Sequence, residues 1–157
     1  MAFLLSQMQV TSESFHHMGK IPKKYSGEGE DISPHLTWEA APEEAKSFVV
    51  IAHDPDAPLL QNGIFGFVHW LLYNIPAGVH TLEEATSFYT KGLTDAGTMD
   101  YVGPMPPKGH GRHYYYFMVI ALDEDLSLNS GLTIKELLNK IEPHALGMNR
   151  LIGSYER

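Results

Sequence analysis

Three apolar segments rich in β-branched and aromatic residues constrain the fold of this 157-residue chain more than any other feature. They read SFVVIAH (47–53), FVHWLLYNI (67–75) and HYYYFMVIALD (113–123). Short runs of this composition favour β-strands. The first run is apolar at consecutive positions, which predicts a strand buried on both faces. Several strands joined by irregular loops predict a mostly β sandwich.

Weaker patterns predict further strands near residues 8–12, 36–39, 92–94 and 145–155. One helix is indicated by the segment TIKELLNKIEP, whose apolar residues recur at helical spacing (Ile134, Leu137, Leu138, Ile141). Thr133 and Glu136 have capping-box spacing, and Pro143 should end the helix near Ile141 or Glu142. A second, shorter helical turn is predicted at TLEEATS (81–87).

Composition narrows the class of protein. A chain of this length fits one domain, residues 1–157. It has no cysteine, which excludes disulfides, thiolate metal sites and a cysteine nucleophile. A formal charge of −8 disfavours nucleic acid as a partner. Because the sequence shows neither a signal-peptide pattern nor an apolar run long enough for an integral membrane segment, we expect a soluble, cytoplasmic protein.

Candidate site residues stand at the ends of the three main strands. The first strand leads into AHDPDAPL (52–59), where Asp54 and Asp56 lie in a turn stiffened by prolines. The second carries His69, which simple alternation places on the face of Leu71 and Tyr73. The third opens with His113, in phase with Tyr115 and Phe117. Taken singly, the aspartates can be turn caps and His69 a core histidine. Together they suggest a carboxylate and two imidazoles meeting at one opening.

A long loop precedes the third strand and reads YVGPMPPKGHGRH (101–113). Its prolines stiffen the path, and its glycines let a ligand approach the backbone. Exposed N–H groups of Gly103, Gly109 and Gly111 could therefore cradle an anion such as phosphate, and His110 could reach the same ligand. Neither a P-loop nor a dinucleotide-binding fingerprint occurs. Two long loops are expected, at residues 18–34 and 94–112, and loops of this length are usually functional or mobile.

These motifs, with YSGEGEDISPHLTW (25–38) and ALGMNRLIGSYER (145–157), resemble the phosphatidylethanolamine-binding protein family, also called Raf kinase inhibitor-like proteins, in its bacterial branch. The resemblance runs from about residue 15 to the end of the chain. It implies a two-sheet antiparallel β-sandwich with one or two short helices near the C-terminal half, and an anion pocket at one end. It assigns to the pocket Asp54, Pro58, His69, Pro107, His113 and Tyr115, with Asp56 close by. One departure is that Tyr114 stands where the family commonly has arginine, and the nearest cation is Arg112.

The leading functional interpretation is non-catalytic binding of a small anionic, phosphate-bearing ligand, without a cofactor. The resemblance further implies, for some members, regulation of a protein partner such as a kinase, and it suggests a homodimer. Two alternatives use the same residues. One is a hydrolase with Asp54 and His69 or His113 as acid and base, and the other is a divalent-metal protein with this trio as ligands. If histidine charge matters, phosphate affinity should fall as pH rises through the histidine range.

Overall fold

The structure is a computed structural model that describes residues 3–61 and 64–157, with the side chains of Leu60 and Gln61 outside that description. In chain order the elements are β1 Gln9–Thr11, β2 Leu36–Glu39, β3 Ser47–Asp54, β4 Leu60–Gln61, β5 Ile64–Phe65, β6 Phe67–Pro76, β7 Thr81–Leu82, β8 Thr90–Lys91, β9 His113–Leu122, α1 Ile134–Ile141 and β10 Ala145–Tyr155. Short 3-10 helices lie at Lys23–Tyr25 and Glu142–His144.

Two antiparallel sheets form the architecture of the described residues. The larger has five strands in the order β10-β9-β3-β6-β8, and the smaller has three in the order β1-β2-β7. Strands β4 and β5 form a separate two-stranded ribbon. The three predicted main strands are confirmed and lie side by side, with β3 between β9 and β6. Strand β3 pairs antiparallel with both β6 and β9. The end of β3 therefore meets the beginnings of β6 and β9 at one end of the sandwich.

Strand β3 is buried on both faces because the large sheet is covered on both sides. Its inner face packs against the small sheet, where Phe48 and Val50 share a core with Trp38 and Leu36. Its outer face is covered by the helix. The residues of that second core are Val49, Ile51, Leu71, Tyr73, Ile120, Leu122, Ile134, Leu137 and Ile141. Alternating side chains therefore enter two different cores, which explains the uninterrupted apolar run.

Helix α1 begins and ends where the sequence predicts. The Thr133 hydroxyl accepts a hydrogen bond from the Glu136 N–H at 3.3 Å, and the Glu136 carboxylate accepts one from the Thr133 N–H at 2.9 Å. This reciprocal pair is the predicted capping box. After Ile141 the chain continues as the 3-10 helix that contains Pro143. Among the described residues no helix has the length and apolar character needed to span a bilayer.

Two local predictions are wrong. No helical turn forms in residues 81–87. Instead Thr81 and Leu82 pair with β2 as an edge strand, and Leu82 is buried in the inner core. Burial of that one apolar side chain outweighs the helical propensity of the neighbouring glutamates. The weak strand expected at residues 92–94 lies instead at Thr90–Lys91, where it pairs with Leu72 and Tyr73.

Candidate functional site

A cavity of about 360 Å³ opens at the end of the sandwich where β3 ends and β6 and β9 begin. It contains one carboxylate, three imidazoles and a phenol among mostly apolar walls. Its lining residues are Asp54, Ala57, Pro58, Leu59, Phe67, His69, Val102, Gly103, Met105, Pro106, Pro107, His110, His113 and Tyr115. This described lining contains no lysine or arginine. The volume lies in the range typical of small-molecule sites.

The Asp54 carboxylate occupies the floor of the cavity and is only 3% exposed. Its Oδ1 accepts a hydrogen bond from the Asp56 N–H at 2.8 Å, which closes an Asx turn immediately after β3. Its Oδ2 lies 2.7 Å from His113 Nδ1. A carboxylate that accepts such bonds is held in one orientation, so the Asp-Pro turn of the sequence serves both the chain reversal and the cavity.

His113 and His110 extend this bond into a chain of three side chains. His113, 3% exposed, uses Nδ1 toward Asp54, and its Nε2 lies 2.7 Å from His110 Nδ1. Since an ionised carboxylate only accepts, His113 Nδ1 must donate. In a neutral pair His113 Nε2 then accepts from His110 Nδ1–H. His110, from the exposed loop, is therefore the outer end of the chain.

A β-bulge carries His69 into the cavity. Ala52 pairs with Trp70 while the next residue, His53, pairs with Val68, so His69 is an extra residue in β6. Trp70 belongs to the inner core, and Val68 belongs to the outer core. The prediction that His69 shares a face with Leu71 and Tyr73 is wrong, because both of these lie in the outer core. His69 instead packs edge-on against Tyr115 of the inner core, with ring centroids 5.1 Å apart.

The protonation of His69 is fixed by its surroundings. Its Nδ1 lies 2.6 Å from the Val102 carbonyl oxygen, which accepts only, so Nδ1 carries the hydrogen. Burial lowers the pKa of this imidazole below its ordinary value, although the Val102 hydrogen bond and the nearby Asp54 oppose the shift. His69 is 6% exposed. Its Nε2 has no hydrogen-bond partner among the described residues. This nitrogen is thus a lone-pair acceptor available to a guest.

Tyr115 lies between the two histidines. Its ring centroid is 5.1 Å from that of His69 and 6.4 Å from that of His113. Its side chain is 2% exposed, and its hydroxyl makes no hydrogen bond to any described residue. Burial, with smaller contributions from Asp54 and Asp56, raises the pKa of this phenol well above its ordinary value. Tyr115 therefore remains a hydroxyl donor over the whole physiological range.

The two long loops of the sequence pack on each other and build the outer wall. Gly103 N–H donates to Asp31 Oδ1 at 2.7 Å, and Gly27 N–H donates to the Pro104 carbonyl at 3.0 Å. Gly109 N–H donates to the Arg157 carbonyl at 3.1 Å. The prediction of a glycine N–H cradle is therefore wrong for Gly103 and Gly109, because other parts of the chain already use these donors. Glycine is still required at 103, where a Cβ would lie 2.3 Å from the Tyr25 carbonyl oxygen.

Most of the predicted site residues border the cavity, namely Asp54, Pro58, His69, Pro107, His110, His113 and Tyr115. Asp56 does not. Its carboxylate is exposed and accepts a hydrogen bond from the Tyr114 N–H at 2.8 Å. Arg112 is also outside, where its guanidinium lies 3.6 Å from Glu156. Sequence reasoning missed the apolar wall formed by Phe67, Val102 and Met105, which carries no local signal beyond hydrophobicity.

The predicted metal trio does not converge. Among the described residues, three donor atoms within 4.8 Å of one another occur at Asp123, Glu124 and His144, and not at Asp54, His69 and His113. His69 and His113 both commit Nδ1 to protein acceptors, and His113 Nε2 contacts His110. The divalent-metal alternative for this pocket therefore loses its geometric basis.

The fold and the cavity define a class, the β-sandwich proteins with a histidine-rich pocket at the strand ends. A family model described as phosphatidylethanolamine-binding protein matches residues 11–156. The chain belongs to the phosphatidylethanolamine-binding protein family.

Relatives agree in sequence and in structure. A UPF0098 protein of Aquifex aeolicus is 43% identical, over 96% of this chain and 89% of its own. A crystal structure of a phosphatidylethanolamine-binding protein homologue from Chlamydia trachomatis superposes with a TM-score of 0.88 at 40% identity, covering 96% of this chain and 97% of that one. YbcL of E. coli also has a TM-score of 0.88, at 29% identity and with 97% and 99% coverage.

Proposed function

We propose that this chain is a non-catalytic binding protein for a small phosphate-bearing anion held in the end pocket. One observation carries the proposal. The hydrogen-bonded chain Asp54–His113–His110 connects a buried carboxylate to an exposed imidazole at the cavity wall. When such a chain takes up a proton, its outer end becomes a hydrogen-bond donor.

The number of protons on the hydrogen-bonded chain Asp54–His113–His110 determines whether its outer end donates or accepts a hydrogen bond. In the neutral state, each hydrogen inside the chain is donated inward, and His110 Nε2 is an acceptor. When the pair takes up one proton, His110 Nε2 becomes a donor, and the positive charge is balanced by Asp54. A charge-assisted donor of this kind holds a phosphoryl oxygen more strongly than a neutral one. Anion binding is therefore linked to the uptake of a proton.

Two further features suit such a ligand. The Tyr115 hydroxyl is a second donor inside the same cavity. The remaining wall is apolar, with Leu59, Phe67 and Met105 among its residues, and can cover a hydrocarbon part of the ligand. Because the described part of the lining has no lysine or arginine, we expect modest affinity for the bare anion and a contribution from apolar contact.

The non-catalytic part of the proposal follows from what lies at His113 Nε2. The Asp54–His113 pair has the arrangement of the acid and base in a hydrolytic triad, in which the nucleophile contacts Nε2. In this chain His110 Nδ1 occupies that position at 2.7 Å. The described lining contains no serine, threonine or cysteine, and its one hydroxyl belongs to Tyr115.

Calorimetric titration with inorganic phosphate at about pH 5.5 and about pH 8 tests the proposal. We expect tighter binding at the lower pH, because the proposal couples anion binding to the uptake of a proton. Equal affinity at the two values would remove the proton-linked part of the proposal. Absence of binding at both would overturn the proposal as a whole.

A matched pair of variants assigns the effect to the pocket. His113→Gln removes a histidine that is bonded to an aspartate at 2.7 Å inside the cavity. His144→Gln removes a histidine bonded to Asp123 at 3.0 Å, away from the cavity. We expect phosphate affinity to fall about tenfold or more in the first variant and to stay unchanged in the second. Equal losses would contradict a role for this pocket.

A further inference from the structure

We propose that His69 is a specificity-determining residue, which makes the pocket select oxyanions that carry a hydrogen over oxyanions of the same shape and charge that carry none. Phosphate and phosphonate monoanions are in the first class, and sulfonates are in the second. The inference rests on the proposed function of the same pocket, and it concerns which anions that pocket accepts.

The hydrogen bond to Val102 fixes the tautomer of His69. The Val102 carbonyl oxygen, 2.6 Å from Nδ1, can only accept, which places the single hydrogen of a neutral ring on Nδ1. His69 is only 6% exposed, so protonation of its ring is costly. Its Nε2 is left as a lone pair facing a cavity to which His69 contributes wall.

Burial and neighbouring charges determine whether the His69 ring takes up a proton. Asp54 and Asp95 both favour a proton on His69, while His53 and, above all, burial oppose it. The balance lowers the pKa of His69, which favours the neutral, accepting form of the ring. The Asp54 carboxylate, which also borders the cavity, is a second acceptor. The pocket thus holds acceptors, His69 Nε2 and Asp54, together with a donor, the Tyr115 hydroxyl.

The acceptor at His69 favours a ligand whose nearest oxygen carries a hydrogen. An oxyanion held by the Tyr115 hydroxyl directs a second oxygen toward His69, whose ring packs against that of Tyr115. If that second oxygen carries a hydrogen, it donates to His69 Nε2. If it carries none, two lone pairs face each other, and a buried acceptor is left unpaired. Sites built around a hydrogen bond reject analogues that lack the hydrogen strongly.

Methylphosphonate and methanesulfonate provide the test, because at about pH 5.5 both are monoanions of nearly the same shape and only the phosphonate keeps a hydrogen. Inorganic phosphate is titrated alongside by calorimetry at matched ionic strength. We expect methylphosphonate to bind at least about tenfold more tightly than methanesulfonate. Equal affinities overturn the inference while leaving anion binding intact, and so does a failure of methylphosphonate to bind where phosphate binds. If phosphate itself does not bind, the proposed function fails, and the inference fails with it.

Variants assign the selectivity to His69. In His69→Gln the side-chain amide can turn its NH₂ group toward the ligand, so the preference should shrink to about threefold or less. The matched control is His35→Gln. His35 is also a buried histidine, but its Nδ1 accepts from the Glu13 N–H at 3.1 Å, away from the cavity. A preference that persists in His69→Gln, or that disappears equally in His35→Gln, overturns the role of His69.

The tautomer has its own readout, which does not depend on affinity. In a long-range ¹H–¹⁵N correlation spectrum, Nε2 of His69 should show the chemical shift of an unprotonated nitrogen and move on addition of methylphosphonate. A protonated Nε2 in the free protein overturns the inference.

Discussion

Asp54 and His113 are 59 positions apart in the sequence and share a 2.7 Å hydrogen bond beneath the end pocket. Each side chain is only 3% exposed. The bond joins the last residue of β3 to the first residue of β9, so it connects the central strand of the large sheet to its neighbour where the cavity opens. We therefore expect stability and the proposed anion binding to depend on the same pair.

Removing the Asp54 carboxylate should cost considerable stability. Asp54→Ala leaves the Asp56 N–H and the buried His113 Nδ1–H without their acceptor. We expect the free energy of unfolding, measured by urea denaturation, to fall by about 2–4 kcal/mol. Asp56→Ala is the neighbouring control. Among the described residues, its exposed carboxylate accepts the Tyr114 N–H, and its loss should cost less than about 1 kcal/mol. A reversed order would show that the buried pair is not the stabilising element.

Burial of His69 should make the protein less stable on the acid side. Its pKa in the folded state is lowered below the ordinary value of 6.5. As pH falls below about 6.5, His69 binds a proton in the unfolded chain but not in the folded one. Stability therefore decreases until the folded-state pKa is reached. Above about 6.5 this contribution is constant. Urea denaturation between about pH 5 and 7.5 should show a shallower acid-side slope in His69→Phe than in the unmodified protein. Parallel slopes would contradict the lowered pKa.

The capping box should account for a measurable part of the helix contribution. In Thr133→Ala the Glu136 N–H loses its acceptor at the start of α1, which covers the outer face of the large sheet. We expect a loss of about 1 kcal/mol in the free energy of unfolding. Lys135→Ala, an exposed change on the same helix, should leave stability within about 0.5 kcal/mol. A loss as large in this control would point to general helix propensity rather than to the cap.

Asp31 should connect the two long loops to ligand affinity. Its carboxylate accepts the hydrogen bond of Gly103 N–H in the cavity wall, although it does not border the cavity itself. In Asp31→Ala we expect faster amide hydrogen exchange at Gly103 and weaker phosphate binding by about three- to tenfold. In the control, Glu30→Ala, an exposed carboxylate next in sequence is removed, and neither quantity should change. Unchanged exchange at Gly103 would show that this contact does not hold the wall.

Local patterns in the sequence predicted the elements whose formation depends on local chemistry. The spacing of Ile134, Leu137 and Ile141 gave α1, and the capping box marked its first turn. The continuous apolar run of β3 indicated burial on both faces, which the two cores explain. The pocket residues of β3 and β9 could be found because each lies at a strand end, where alternation holds.

What the sequence could not predict depends on partners far along the chain. The bulge that turns His69 inward is a property of the pairing between β6 and β3, and no residue near position 69 announces it. The N–H groups of Gly103 and Gly109 are taken by Asp31 and Arg157, which lie 72 residues before the first and, by position, 48 residues after the second. A homodimer, a protein partner such as a kinase and a cytoplasmic location stay predictions.

The most direct test of the account is to follow the histidine side chains by ¹H–¹⁵N correlation spectroscopy while inorganic phosphate is added at about pH 5.5. Shifts at His69, His110 and His113 that saturate together, with His144 unmoved, are the predicted result. Saturating shifts that appear elsewhere, or histidines of the pocket that do not respond at any phosphate concentration, would contradict it.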